Sequence, residues 1–288
     1  KYMYQTVGLP NVGNSCYFNA FIQVVKPLMY EVLTNHGQIQ SIEEKPDITE
    51  REKETVAVTN QLITTTNNFF EKYFAGENFR EEYKQIYVVI NHIRKFPIGS
   101  QQDSSEAISL ITDLIKSYDN LKPLVTVGFN QVIECNNCGC YKICDVQEEA
   151  MLISNTLQTT TEQTLSFKHF LGNMLTKCDF EPTKSNDFKC NCADKAQTLN
   201  IKTVLTKMPK YLVVNVGRYD NNRRKITKYV DIAHNFKITT PINLDDVLAK
   251  RNNDKIEHNY ELIGIAVHHG YSLNGGHYVA YSKVGSQW

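Results

Sequence analysis

The sequence predicts an α+β fold, and three observations carry that prediction. Apolar residues at helical spacing dominate the first third of the chain. From Thr126 onward the texture changes to short apolar segments separated by polar turns, the pattern of strands. No internal repeat or low-complexity tract interrupts this succession. The expected organisation is therefore a mainly helical part, residues 1–125, followed by a β-rich part, residues 126–288. A chain of 288 residues with 41% hydrophobic content can bury a sizeable core, as one large domain or two fused lobes.

Taken in order, residues 1–7 read as a short extended lead. A turn-forming run of Gly, Pro and Asn then precedes Cys16, and an apolar-periodic segment follows it, with Ala20, Phe21, Val24, Val25 and Leu28 on a buried face. That helix is expected from Asn19 to about Leu33, with Pro27 as a kink or junction. The polar, acidic run from Gln38 to Glu54 reads as a surface loop leading into a helix over residues 55–75. Tyr83 to Ile93 repeats the helical theme, and a further helix carries Ile108, Ile111, Leu114 and Ile115 inward. Asp103 followed three residues later by Glu106 is a capping-box arrangement at its start. Strands are expected over Phe129–Glu134, Tyr141–Val146, Tyr211–Val216, Lys225–Val230, Phe236–Ile238, Glu261–His268 and Tyr278–Ser282.

Composition narrows the function classes. Lysine plus arginine equals aspartate plus glutamate at 31 each, a balance that favours neither nucleic acid nor an anionic membrane surface as partner. The local patch Arg223-Arg224-Lys225 reads as the solvated face of a turn. No stretch has the length and apolarity of a membrane span, and the first residues lack a secretory signal pattern. The eight cysteines cluster as CNNCGCYKIC and CNC, which points to thiol or metal chemistry in a reducing compartment, cytoplasm or nucleus, rather than to a disulfide framework.

Two stretches carry candidate chemistry. A thiol placed at the start of a helix sits where unpartnered amides stabilise an anion, which favours the nucleophilic thiolate of Cys16. Far down the chain, His277 stands behind Gly275 and Gly276 and ahead of an alternating apolar strand, where an imidazole can be held rigidly as general base and then acid. The bland alternative, an inert buried cysteine and an unrelated histidine, stays open on these residues alone. Cys135 and Cys138 form one C-x-x-C knuckle, and Cys190 and Cys192 form a C-x-C; four thiolates from two hairpins suit tetrahedral zinc. The rival is a decayed ribbon without metal, and Cys140, Cys144 and Cys178 are substitute ligands or ordinary thiols.

The block Gly8, Leu9, Asn11, Gly13, Asn14, Cys16, Tyr17, Asn19, Gln23 resembles the cysteine box of the ubiquitin-specific proteases, papain-like deubiquitinating enzymes. Gly275-Gly276-His277-Tyr278 with Tyr281 resembles that family's histidine box. The resemblance implies a papain-like cysteine protease fold with an α-rich thumb, a β-rich palm and extended β fingers, the fingers at about residues 127–210. It implies a thiol hydrolase that cleaves after the C-terminal glycine of ubiquitin, with Cys16 as nucleophile, His277 as base and Asn11 as oxyanion donor. Read without the resemblance, Asn11 is simply an Asx turn beside Pro10. The family's Gln-Gln-Asp-x-x-Glu matches Gln101, Gln102, Asp103 and Glu106, so Asp103 and Glu106 are expected to hold the basic tail of ubiquitin, with Gly275, Gly276 and Tyr278 lining a narrow channel for its glycines. The family's zinc ribbon supports Cys135, Cys138, Cys190 and Cys192 as ligands of a structural zinc, although the second knuckle is one residue short of the family pattern. No organic cofactor is implied; ubiquitin or ubiquitinated proteins, and regulatory proteins, are the expected partners. The Asp or Asn that orients the histidine is expected beyond Trp288, which matches the tryptophan preceding it. A catalytically silent ubiquitin-binding scaffold of the same fold is the rival function.

Overall fold

The computed structural model describes residues 7–154, 156–167, 199–220, 222, 224–245, 254–272 and 275–288. In chain order the helices α1 (Cys16–Glu31), α2 (Glu50–Ala75), α3 (Arg80–Arg94) and α4 (Ser104–Lys116) come first. Strands β1 (Val127–Cys135), β2 (Tyr141–Ile143), β3 (Gln147–Glu149) and β4 (Leu152–Ser154) follow, then the short α5 (Thr156–Thr159). The remainder is β5 (Thr164–Ser166), β6 (Leu199–Lys207), β7 (Val214–Val216), β8 (Tyr229–Asp231), β9 (Asn235–Pro241), β10 (Lys255–Glu261), β11 (Gly264–Ser272) and β12 (Gly275–Ser282). Among the described residues no helix is long and apolar enough to cross a membrane.

The chain forms two compact units. The first takes residues 1–121, 221–225 and 263–288; the second takes 122–220 and 226–262. The last hairpin thus groups with the helices, not with the other strands, because β11 and β12 pack directly on α1.

In the first unit α1 is the buried centre, packed by α2, α4 and the β11–β12 hairpin. It begins at Cys16 and runs through Pro27 to Glu31, where a π turn over Val32–His36 closes it. Its core is aromatic: the Phe18 ring, fully buried, meets Phe21, Tyr83 and Tyr87 at 5.2–5.4 Å between centroids, the last two edge-on. Such pairs add about 0.5–1.5 kcal/mol each beyond area burial. The Tyr17 tip is satisfied inside: it donates to Asn91 Oδ1 at 2.6 Å, and Asn91 Nδ2 donates to the Tyr87 carbonyl at 2.6 Å. Burial holds the Tyr17 hydroxyl well above its ordinary pKa. At the start of α2, Thr49 and Glu52 form a reciprocal capping box, so this helix begins five residues before its expected start.

In the second unit β1 is the spine. β6 pairs along one edge of it in antiparallel register from Cys135↔Leu199 to Gly128↔Lys207, while β2 and β3 share the other edge. Two parallel pairs, β4–β7 and β5–β8, and the antiparallel pair β9–β10 complete it. Val127, Phe129, Leu152, Leu157, Leu165, Phe167 and Leu205 form the core. Glu148 pairs with both Lys122 and Lys207, which hold its carboxyl below the ordinary range. The expected strands at Tyr141–Val146, Tyr211–Val216 and Lys225–Val230 shrink to three residues each, the last as Tyr229–Asp231. The expected strand Glu261–His268 is instead the end of β10 and most of β11, broken at Leu262-Ile263.

Candidate active site

The loop from Gly8 to Ser15 is fixed by Asn11, Asn14 and Asn19, which the sequence singled out, and by Ser15, which it did not. Asn19, on the first turn of α1, donates to the Pro10 carbonyl at 3.2 Å and accepts from the Tyr83 hydroxyl at 2.5 Å, so α3 grips the loop through α1. Ser15 Oγ receives the Val12 N–H at 3.1 Å and donates to Asn11 Oδ1 at 3.3 Å. Asn14 takes the left-handed conformation at φ +44°, tolerable for Asn, and its Nδ2 donates to the Gly99 carbonyl at 2.7 Å. With the loop so held, Ser15 is the N-cap residue and Cys16 the first residue of α1, half-buried, where the backbone N–H has no intrahelical partner.

Asn11 combines both roles weighed for it. Its Oδ1 accepts the Gly13 N–H at 3.0 Å, which is the Asx turn, yet among the described residues its Nδ2 makes no hydrogen bond and the residue is exposed. The carbonyl side builds the loop, and the amide side is left to donate.

His277 lies on β12, the strand packed against α1. Its cross-strand partner is His269, and the next pair is His268 with Tyr278, whose rings are 4.7 Å apart. Pleat alternation puts His277 and His269, both exposed, on one face and His268 with Tyr278 on the other. Gly276 has φ +149°, and a Cβ there would lie 2.3 Å from the His269 carbonyl and 2.5 Å from His268 Nε2. The space left by its missing side chain is thus taken by β11, a packing role beside any it has toward a substrate. An added Cβ at Gly275 would meet only Ser272 Oγ, at 3.8 Å.

The Tyr278 hydroxyl reaches Asp103 Oδ1 at 3.5 Å, joining β12 to the start of α4. Asp103 caps that helix by accepting the Ser105 N–H at 2.8 Å, as expected. The reciprocal half of the capping box does not form: the Glu106 carboxylate is exposed and makes no bond among the described residues, which leaves it available to a cation. Beside them Gln101 Nε2 is buried without a hydrogen-bond partner among the described residues, a donor that the sequence reading did not single out.

Sequence reasoning also missed Lys225. Read as part of a solvated turn, it is half-buried, and its ammonium donates to the carbonyls of His268 at 2.6 Å and Gly270 at 2.9 Å, with His268 Nδ1 at 3.2 Å. Burial, then Lys225 and His269, push the His268 pKa down; Asp103 pulls the other way. Arg224 is exposed as expected, and Arg223 lies outside the described residues.

The cysteine knuckles are only half within view. Cys135 is buried at the end of β1 and Cys138 and Cys140 are exposed; the Cys135 carbonyl accepts the Gly139 N–H at 2.8 Å while its own N–H donates to Cys140 O at 2.9 Å. Cys178, Cys190 and Cys192 lie outside the described residues. Among the described residues no three His, Cys, Asp or Glu side chains converge on a metal position.

Comparison with known proteins adds an independent line. A sequence model of the family described as ubiquitin carboxyl-terminal hydrolase matches residues 7–288. Curated relatives include ubiquitin carboxyl-terminal hydrolase 48 of Gallus gallus, 22% identical over 96% of this chain and 26% of the relative. Ubiquitin carboxyl-terminal hydrolase 14 of Caenorhabditis elegans is 23% identical over 96% of this chain and 64% of its own length. The chain therefore spans from about a quarter to just under two thirds of these two relatives. Among solved structures, the SAGA Ubp8/Sgf11/Sus1/Sgf73 DUB module bound to ubiquitin aldehyde contains a chain similar in fold, with a TM-score of 0.67 at 17% identity, covering 97% of this chain and 62% of that one.

Proposed function

Because the chain belongs to the ubiquitin carboxyl-terminal hydrolase family and shares the α+β fold of its ubiquitin-specific members, we propose that it is a cysteine-dependent deubiquitinase acting on ubiquitin or ubiquitinated proteins. The observation that carries this reading is that Cys16 opens α1 and His277 stands on the strand packed against α1. In the proposed reaction His277 takes the Cys16 thiol proton as sulfur attacks the carbonyl carbon of the terminal glycine. The oxyanion would be met by the Asn11 Nδ2 and the Cys16 N–H, donors left without a partner among the described residues. Collapse of the tetrahedral species expels the lysine amine, which receives its proton from His277; a water, deprotonated by the same imidazole, then attacks the thioester and releases ubiquitin and the thiol.

Substrate choice follows from the surroundings. The Glu106 carboxylate, which makes no bond among the described residues, and Asp103 would receive the basic residues of the tail, and Tyr278 with Gly275 and Gly276 would border the glycine channel. The same reading gives a structural zinc to Cys135, Cys138, Cys190 and Cys192. The tight turn at Cys135, bonded to Gly139 and Cys140, supports one knuckle, and metal analysis of wild type against Cys135→Ser tests it. A reducing address, cytoplasm or nucleus, suits these thiols.

The deciding experiment exposes the purified chain to ubiquitin bearing a C-terminal electrophile. A covalent adduct with wild type and none with Cys16→Ala is expected. Reversible binding by both, with no adduct, would give the function to a ubiquitin-binding scaffold instead.

A further inference from the structure

The hydrolase reading leaves open what holds the imidazole strand where it must be. The β11–β12 ladder is regular up to His269↔His277 and then slips, with an irregularity before Ser272↔Gly275. A bulge of this kind interrupts the ladder hydrogen bonds that would otherwise fix the strand. His277 therefore sits at the last regular rung, and donors outside the ladder are needed to hold the backbone of β11 on both sides of that rung.

Lys225 supplies them. Its ammonium has three protons, and the acceptors within reach among the described residues include the His268 carbonyl, the Gly270 carbonyl and His268 Nδ1. The two carbonyls flank His269, the residue directly opposite His277. The acceptor role of Nδ1 sets the His268 proton on Nε2 and fixes that ring, which lies against Tyr278 on one side and leaves no room for a Cβ at Gly276 on the other. Both neighbours of His277 on β12 are thus packed on a ring that Lys225 orients. Asp103, Tyr278 and His269 are the other charged and titratable groups around it among the described residues.

Resting on the hydrolase reading, we propose that Lys225 is a positioning residue for His277: by clamping β11 on either side of the facing residue, it sets the backbone from which the imidazole projects. It touches neither substrate nor thiol in this role. Displacement of a catalytic group by about 1 Å can cost up to a hundredfold in rate, so loss of the clamp is read in kcat more than in substrate binding.

The test compares Lys225→Met with Lys225→Gln, which keeps donors but no charge, and with Lys228→Met. Lys228 is the control because it makes the same kind of clamp in the second unit, donating to the carbonyls of Leu157 and Thr160. Wild type is first checked for capture by the ubiquitin electrophile and for turnover of a ubiquitin C-terminal amide; failure of both removes the hydrolase reading and this proposal with it. Given activity, Lys225→Met is expected to lower kcat by about tenfold or more with KM within about twofold, and to shift the imidazole inflection in the pH profile of kcat. Lys225→Gln should fall between, and it carries the test if the Met variant does not fold. Lys228→Met should lower Tm without moving either the inflection or kcat per folded molecule. Wild-type kcat and inflection in Lys225→Gln, or a loss in Lys225→Met that follows its folded fraction, would overturn the proposal.

Discussion

The two units are built on different physics. The first buries rings around one helix and finishes polar tips internally, as Tyr17 with Asn91 and Tyr83 with Asn19 show. The second lays the long β6 along β1 over a mostly aliphatic core, with three-residue pairings away from that spine. A ring cluster is stiff, because each aromatic has few rotamers and edge-on neighbours resist sliding. Three-residue ladders open readily, having little cross-strand packing to lose. Every residue proposed for the chemistry, from Asn11 to Tyr278, belongs to the stiff unit, and catalytic geometry is held best on such a support.

The largest effect that sharpens this contrast is chemical. Cys16→Ala is expected to reduce turnover of a ubiquitin amide by more than about a thousandfold, whereas no single thiol change in the second unit, Cys144→Ala included, should approach it. Comparable losses from both would erase the division of labour. Next comes the core: Phe18→Ala should cost about 3–5 kcal/mol in urea unfolding and Leu165→Ala about 2–3 kcal/mol, both side chains being fully buried. An equal cost would show that the rings add nothing special.

Lys26 gives a third test, within the first unit. It is fully buried on α1, its ammonium donates to Gln23 Oε1 at 2.9 Å, and burial lowers its pKa from 10.5 to about 8. Between those values the unfolded chain holds a proton that the folded chain has lost, so folding stability climbs with pH, by about 2 kcal/mol at pH 9.5 relative to pH 7. Above about pH 10 the sign reverses, since the buried Tyr17 and Tyr83 hydroxyls ionise first in the unfolded chain. Lys26→Met should remove the climb; the urea midpoint at the two pH values reads it. Smallest is the pair at the start of α4. Asp103→Ala should cost about 1 kcal/mol as a lost cap, and Glu106→Gln less than about 0.5 kcal/mol, while both raise KM for ubiquitin substrates. A Glu106→Gln variant with unchanged KM would detach this carboxylate from the tail.

What was legible in the sequence follows the same divide. The start of α1, expected from periodicity at Asn19 and found three residues earlier at Cys16, the cap at Asp103 and the periodic faces of α2 to α4 are local signals, written within a few residues of where they act. The β6 strand, Leu199–Lys207, went unread because its partner β1 lies some seventy residues away and nothing in LNIKTVLTK states it. The parallel pairs β4–β7 and β5–β8 are shorter still and equally remote. Lys225 was misread for a related reason. An Arg-Arg-Lys run looks solvated unless one knows that a bulged strand more than forty residues on presents carbonyls to it. Asn11 was half legible, since the Asx turn is local while the unspent amide shows only once the loop is folded.

Grouping of the last hairpin with the helices has a consequence for biosynthesis. At about 5–20 residues per second, a ribosome that has just emitted the nucleophile needs on the order of 10–50 s more before the proton acceptor follows. Throughout that interval the helix that opens at Cys16 lacks the hairpin that packs on it, so on the proposed reading the nascent chain carries a nucleophile without its base.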